Sequence, residues 1–95
     1  MAKRFRNILG PKIRELRQNA GLSQDDLAAR LQLAGLENLD RVAVAKIESQ
    51  IRSIFEYELI VLGSVLKVTP EELMTVSPRS LRSQLPLLTT SRMHD

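Results

Sequence analysis

Short helices separated by strong stop and start signals are the main constraint that this sequence places on its fold. Gly21 ends one helix, and Ser23 with Asp26 forms a near version of the capping box that begins the next. Farther along, Thr69 precedes a Pro-Glu-Glu stretch in which Glu72 completes a second capping box. No segment alternates apolar and polar residues over a useful strand length. The sequence therefore predicts an all-α fold.

Five short helices are predicted from these signals and from the spacing of the apolar side chains. The first spans 11–20, the second runs from Ser23 to a stop at Gly35, the third spans 41–49 behind an Asp40 cap, the fourth spans 55–66, and the fifth begins at Pro70 and ends before Pro78. In the first helix, Ile13, Leu16 and Ala20 form the inward stripe. The residues predicted to point outward from it are Lys12, Arg14, Arg17 and Gln18.

Size and charge distribution add to this prediction. With 95 residues, 43% of them apolar, the chain can build one small hydrophobic core. The net charge is +3, but residues 1–20 carry a local charge of +5 and residues 21–40 a local charge of −3. The charges at the front are Lys3, Arg4, Arg6, Lys12, Arg14 and Arg17 against Glu15. A basic segment suits phosphate binding, and a solvated face with a basic arm explains the same charges equally well.

Several classes of protein are excluded by what the sequence lacks. There is no cysteine, which rules out disulfides and thiolate metal sites, and the one histidine is His94. Neither a Gly-rich phosphate loop nor a catalytic set of side chains is present. We therefore expect no enzyme activity, no metal site, no cofactor and no small-molecule substrate. The absence of a long apolar run and of a signal peptide leads us to expect a cytoplasmic protein with no membrane partner.

Three stretches, taken in order, carry a resemblance to a known family. They are ILGPKIRELRQNAGLSQDDLAARL at 8–31, DRVAVAKIES at 40–49 and LIVLGSVLKVTPEEL at 59–73. In these the chain resembles the lambda-repressor-like helix-turn-helix domains, also called the Cro/C1 or XRE-type family. The resemblance implies a compact five-helix bundle whose second and third helices form the DNA-binding pair, with the third entering the major groove.

Several residue roles are implied by the same resemblance. Gln24 matches a position that reaches the DNA backbone and can brace the recognition helix, and Ala28 matches the small residue where the two helices cross. Val44 and Ile47 match the buried positions of the recognition helix. Once these two are buried, the helical period turns five side chains outward, namely Arg41, Val42, Ala45, Lys46 and Ser49.

Contacts with DNA can be assigned by side-chain chemistry. We expect Arg41 to read a base, because its planar fork can pair with O6 and N7 of guanine. Val42 and Ala45 would contact thymine methyl groups. The remaining candidates are Lys46 and Arg52, for guanine or phosphate, and Lys12, for phosphate. A plain charged face explains the basic residues of the first helix as well. Since a carboxylate facing phosphates would repel them, Glu48 is expected to form an internal salt bridge or a cap contact.

The turn before the recognition helix departs from the family pattern. Val44 follows Ala28 by sixteen positions, which is more than the compact motif allows, so the turn is longer. Lengthening a loop has a small entropic cost. Gly35 would end the preceding helix, while Leu36 and Leu39 would anchor the turn on the core. The extra length is therefore expected to reshape the motif without destroying it.

The residues after the recognition helix depart from the pattern too. Gln50 stands where the family favours Gly, and Gln tolerates positive φ poorly. We therefore expect the helix to run on towards Arg52 or to end with a different geometry. From Ser77 onward the chain is rich in Ser, Thr and Pro, and Pro78 and Pro86 should interrupt any long helix.

Two functions remain as alternatives. The first is a DNA-binding transcriptional regulator, a repressor that reads double-stranded DNA with helix 41–49 as a homodimer. The second is a protein-interaction module of the same fold, antitoxin-like or regulator-binding, without specific DNA reading; the acidic second helix and the LPLL stretch at 85–88 favour it. The expected organisation is a basic N-terminal arm at 1–7, a helix-turn-helix DNA-binding domain at 8–76 and a flexible tail at 77–95.

Overall fold

A computed structural model of the chain describes residues 4–89. Six helices form in this range: α1 (Gly10–Asn19), α2 (Gln24–Leu33), α3 (Arg41–Glu48), α4 (Glu56–Leu66), α5 (Pro70–Leu73) and α6 (Pro78–Thr89). Strands are absent from the described residues, so the all-α fold class is confirmed. None of these helices combines the length and apolar character that a membrane span requires. Lys3 of the predicted arm, and His94 with the rest of 90–95, lie outside the described range.

The caps predicted from the sequence begin three of the helices. At α2, Ser23 Oγ accepts the N–H of Asp26 at 2.9 Å, and the Asp26 carboxylate accepts the N–H of Ser23 at 2.9 Å. Thr69 and Glu72 form the same reciprocal pair at α5. At α3, Asp40 Oδ1 accepts a backbone N–H of the first turn at 2.8 Å. Each bond satisfies an N–H that has no partner inside its helix and thereby fixes where the helix begins.

One hydrophobic core is shared by the first five helices. α2 packs against α3 and α4, α1 packs against α3, and α5 packs against α4. The buried apolar residues are Leu9, Ile13, Leu27, Ala28, Leu31, Leu39, Val44, Ile47, Leu62, Leu66 and Leu73. Val44 and Ile47 are each 1% exposed, which confirms the inner face predicted for α3. Burial of these two residues fixes the rotation of α3 on the core.

The outward face predicted for α1 is wrong at one position. Arg17 is only 8% exposed and turns inward, while Ala20, expected in the inward stripe, is exposed. Ile13 is fully buried and Leu16 partly buried, as predicted. Arg17 is tolerated in the interior because Glu48 lies opposite it, and a buried charge is stable only when it is paired.

The long turn between α2 and α3 is anchored as the sequence predicted. Gly35 adopts a φ of +111°, a conformation that glycine takes without steric strain. The N–H of Leu36 then donates to Leu31 O at 2.9 Å, and this bond closes the end of α2. Leu39 is 1% exposed, and Leu36 packs against the core from the side. The apolar contacts of Leu36 and Leu39 therefore hold the turn, and with it the start of α3, on the core.

A sixth helix forms in the segment that was predicted to be a tail without long helices, so that prediction is wrong for 78–89. Ser77 caps the start of α6, because its Oγ accepts the N–H of Ser80 at 3.1 Å. Pro78 follows at the first helical position, where its missing N–H would have had no partner anyway. Pro86 lies inside the helix but removes only one internal hydrogen bond. The division into arm, domain and tail stays a prediction.

Candidate nucleic-acid interface

The outward side of α3 is a strip of three exposed side chains. Val42, Lys46 and Ser49 follow one another at i, i+4 and i+7 and all are exposed. Ala45 flanks the strip and is half-buried. The structure therefore brings together on one surface four of the residues that the sequence predicted to face outward.

Arg41 lies at the first position of α3, on the side that faces α2. Its side chain is 57% exposed, and its Nε is 3.9 Å from Oδ1 of Asp25 at the start of α2. An ion pair that is this long and this exposed contributes little to stability. The guanidinium is therefore held near α2 but stays available to a ligand.

The orientation of α3 is held by a buried polar network. Glu48 accepts from Arg17 Nε at 2.6 Å and from Arg17 Nη2 at 3.0 Å. Gln24, at the first position of α2, donates to the same carboxylate at 3.1 Å. The hydrogen bond with Glu48 raises the pKa of Arg17 against the opposing effect of burial. The internal role predicted for Glu48 and the bracing predicted for Gln24 are confirmed, and the contact of Gln24 with DNA stays a prediction.

A comparison with protein families decides what this helix pair is. A family model described as "Helix-turn-helix" matches residues 13–73, which span α1 to α5. The chain belongs to the lambda-repressor-like, XRE-type helix-turn-helix family. Neither a curated protein nor a solved structure matches the chain. The family is one of DNA-binding regulatory domains, not typically enzymes, so the chain is a DNA-binding helix-turn-helix regulator. Its α3 is the helix that the sequence predicted as the recognition helix.

The end of the recognition helix differs from the expectation for Gln50. The helix neither runs on towards Arg52 nor changes its ending, because Gln50 adopts a φ of +66°. Its N–H donates to Ile47 O, and the N–H of Ile51 donates to Lys46 O, each at 3.0 Å, which is the Schellman ending that glycine usually allows. The side chain of Gln50 is buried, and its amide donates to Asn7 O at 3.0 Å and to Gln84 at 2.7 Å. These bonds offset the unfavourable backbone conformation.

Asn7 fastens the N-terminal segment across the same end of the recognition helix. Its side-chain amide donates to Ile47 O at 3.1 Å and to Arg52 O at 2.8 Å, and its Oδ1 accepts the N–H of Gly10 at 2.8 Å. Gly10 approaches so closely that a Cβ there would lie 2.8 Å from the carbonyl oxygen of Glu48. The N-terminus of α1 and the C-terminus of the recognition helix are therefore in direct backbone contact.

Of the other two predicted contacts, Arg52 lines a groove together with Val42 and Lys46 of the exposed strip, whereas Lys12 lies on α1. Arg52 is half-buried, and its guanidinium donates to both oxygens of Glu58 at 2.9 and 3.0 Å. Although burial alone would raise the pKa of Glu58, hydrogen bonds from Arg52 and from the Phe55 N–H lower it. Lys12 is half-buried on α1 and lines a groove between α1 and the start of α6. Within 4–89, no three His, Cys, Asp or Glu residues are arranged to hold a metal ion.

Sequence reasoning missed two features of this interface. Asn7 was not singled out, because the cap position of α1 is Leu9 and no local signal reports the bonds of Asn7 to Ile47 and Arg52. The approach of Asp25 to Arg41 depends on how α2 and α3 cross, which no local signal reports. Asn7 lies at the C-terminal end of α3, and Asp25 lies beside its N-terminal end.

Proposed function

We propose that this regulator is a transcriptional repressor that reads the major groove with α3 as a homodimer. The observation that carries the proposal is a recognition helix with a fixed inner face and a free outer strip. The inner face is buried, with Glu48 bonded to α1 and α2, while Val42, Lys46 and Ser49 face solvent. A helix fixed in this way can present the same side chains to every operator.

The chemistry of the strip favours a mixed apolar and basic reading of bases. Arg41 would pair with O6 and N7 of guanine, and Val42 with Ala45 would meet thymine methyl groups. Lys46 would reach guanine or phosphate, Ser49 would contact the backbone nearby, and Gln24 would donate to a phosphate at the start of α2. For Arg52 the ion pair with Glu58 supports a structural role instead, in holding the segment between α3 and α4.

A homodimer follows from how little one recognition helix can contact. One helix reaches only a few base edges, whereas a dimer with two recognition helices about 34 Å apart reads two half-sites one helical turn apart. Repression would then result from occupation of a two-fold symmetric operator. A cytoplasmic location is part of the same proposal.

The experiment is selection of bound sites from a random double-stranded DNA pool, followed by titration of the selected site at rising salt. We expect a two-fold symmetric site and an affinity that falls steeply between about 50 and about 200 mM salt, because bound counterions are released. Ultracentrifugation of the complex should give two chains per site. A flat salt dependence with no enriched sequence would contradict the proposal.

A protein-interaction module is the second candidate, and an apolar surface on α4 favours it. The rings of Phe55 and Tyr57 stack with centroids 5.6 Å apart, and both side chains are more than half exposed. Ile60, 62% exposed, follows Tyr57 by one turn. If this were the main function, the purified chain would not retard DNA and would bind one protein partner in stoichiometric amount, and Tyr57→Ser with Ile60→Ser would abolish that binding.

A further inference from the structure

One carboxylate beside the recognition helix makes no capping hydrogen bond. Asp25 is the second residue of α2, and its side chain is 78% exposed. Its neighbour Asp26 makes both bonds of the capping box with Ser23. Within 4–89, the only polar contact of the Asp25 carboxylate is with Arg41 Nε at 3.9 Å. The charge of Asp25 suits the dipole at the start of α2, but its carboxylate is left free of cap bonds to approach Arg41.

A groove between α2 and α3 holds this ion pair and a second carboxylate. The pair lies in a groove between α2 and α3 that is also lined by Ala28, Ala29 and Gln32. The other carboxylate of that groove, Asp40, accepts a backbone N–H as the cap of α3. Of the two carboxylates that line this groove, only Asp25 lies within 4 Å of the guanidinium.

We propose that Asp25 is a positioning residue that sets the base preference of Arg41. This inference rests on the proposed function, since it requires Arg41 to read a base. Asp25 approaches Nε, so both Nη groups remain free for the two acceptors of a guanine. A nearby charge that favours one direction of the guanidinium lowers the freedom lost when it pairs with guanine. A base without two acceptors leaves the guanidinium in that direction without a partner.

The carboxylate of Asp25 should also lower the affinity for DNA of any sequence. A negative charge close to the phosphates weakens binding to every sequence. Asp25 therefore lowers the affinity for all DNA and increases the difference in affinity between operators with the right and the wrong base pair. This combination separates a positioning residue from a residue that merely repels or merely stabilises.

The test compares the selected operator with one in which the guanine contacted by Arg41 is replaced. Asp25→Ala should bind non-specific DNA more tightly and should lose about twofold to fivefold of the discrimination at that one base pair, the size of effect that an exposed ion pair can supply. Asp25→Asn keeps the size of the side chain but removes its charge. Because the 3.9 Å approach to Nε is longer than a hydrogen bond, Asp25→Asn should match Asp25→Ala in both effects. Glu15→Ala removes one exposed negative charge from α1 and should leave discrimination unchanged.

A double-substitution cycle completes the test. In the background of Arg41→Ala, Asp25→Ala should cause no further loss of discrimination, because there is no guanidinium left to position. Unchanged discrimination in Asp25→Ala, with equal gains on all sequences, would overturn the inference and leave Asp25 as a simple repulsive charge. A wild-type chain that binds DNA without any base preference would overturn the proposed function itself, and this is measured before any variant is made.

Discussion

Arg17 on α1 and Glu48 on α3 face each other in the interior as a two-point ion pair. Their side chains are 10% and 3% exposed, and the two bonds measure 2.6 and 3.0 Å. The third nitrogen of the guanidinium, Nη1, donates to Leu22 O at 2.8 Å in the turn between α1 and α2. Because Gln24 also donates to Glu48, one carboxylate joins three consecutive helices. The direction of the recognition helix is therefore set by bonds of fixed geometry in addition to apolar packing.

Replacing one partner of the Arg17–Glu48 pair should lower the free energy of unfolding far more than replacing both. Arg17→Met leaves Glu48 buried without its partner, and we expect a loss of about 3 to 5 kcal/mol in the free energy of unfolding. Arg17→Met combined with Glu48→Leu removes both charges and should recover most of that loss. Urea unfolding of the two variants and the wild type measures this difference. Additive losses in the double variant would mean that the pair is not coupled.

Local signals predicted most of the fold, whereas contacts between distant residues were not predictable in the same way. The caps at Ser23, Asp40 and Thr69 act within a few residues, so their sequence spacing was sufficient. Arg17 reads as an outward residue until Glu48, 31 positions away, is known to lie opposite it. A period of 3.6 residues reports which side of a helix a residue occupies, but not which charge it meets there.

In the candidate site, too, features set by local sequence were predicted and features set by distant contacts were not. The outer strip of the recognition helix followed from the burial of Val44 and Ile47, because two inward residues determine the phase of a helix. Gln50 was mispredicted because the general cost of a positive φ was weighed without the buried bonds that its side chain makes with Asn7 and Gln84. The last of these partners lies in α6, a helix that was not predicted.

Leu39 should be the residue on which the long turn depends. It is 1% exposed, so Leu39→Ala leaves a cavity, and we expect a loss of about 2 to 5 kcal/mol in the free energy of unfolding. Asn38→Ala, at an exposed position of the same turn, is the control and should change stability by less than about 0.5 kcal/mol. Thermal or urea unfolding measures both. Similar losses in the two variants would contradict the anchoring role of Leu39.

The strained backbone at Gln50 can be separated from its side-chain bonds by two substitutions. Gln50→Ala keeps a side chain that makes a φ of +66° unfavourable, and it loses the bonds to Asn7 and Gln84. Gln50→Gly loses the same bonds but relieves the strain, so it should be more stable than the alanine variant by about 1 kcal/mol. Urea unfolding compares the two. Equal stability would indicate that the positive φ carries no cost in this context.

Acid should weaken the fold through Glu58. Its pKa lies below the usual 4.5 because hydrogen bonds from Arg52 and the Phe55 N–H outweigh the effect of burial. A carboxyl group with a lowered pKa in the folded state stabilises the fold at pH values above its pKa in the unfolded chain. This stability is lost as the pH falls through the pKa of the folded state. We therefore expect the free energy of unfolding to decrease from about pH 5 to about pH 3.

Glu58→Gln is the matched variant for this prediction. It should be less stable than the wild type near pH 7, and the difference should shrink in acid, where the wild-type carboxylate also becomes neutral. Some acid dependence should remain, since the N–H and the Oγ of Ser23 lower the pKa of Asp26 as well. Urea unfolding at several pH values checks both statements. A constant difference between the two chains across the range would contradict the role of Glu58.

Arg41 and Lys12 should affect DNA binding in different ways. Arg41→Ala should cost about 1 to 3 kcal/mol on the selected operator and relax discrimination at one base pair, because it removes a bidentate contact. Lys12→Ala should weaken all sequences about equally and lower the salt slope by about one, because it removes a phosphate contact. Titrations of operator and unrelated DNA at two salt concentrations distinguish the two patterns. If Arg41→Ala weakened all sequences equally, Arg41 would be a phosphate contact, and base reading would have to come from Val42 and Lys46, the next residues on the exposed strip.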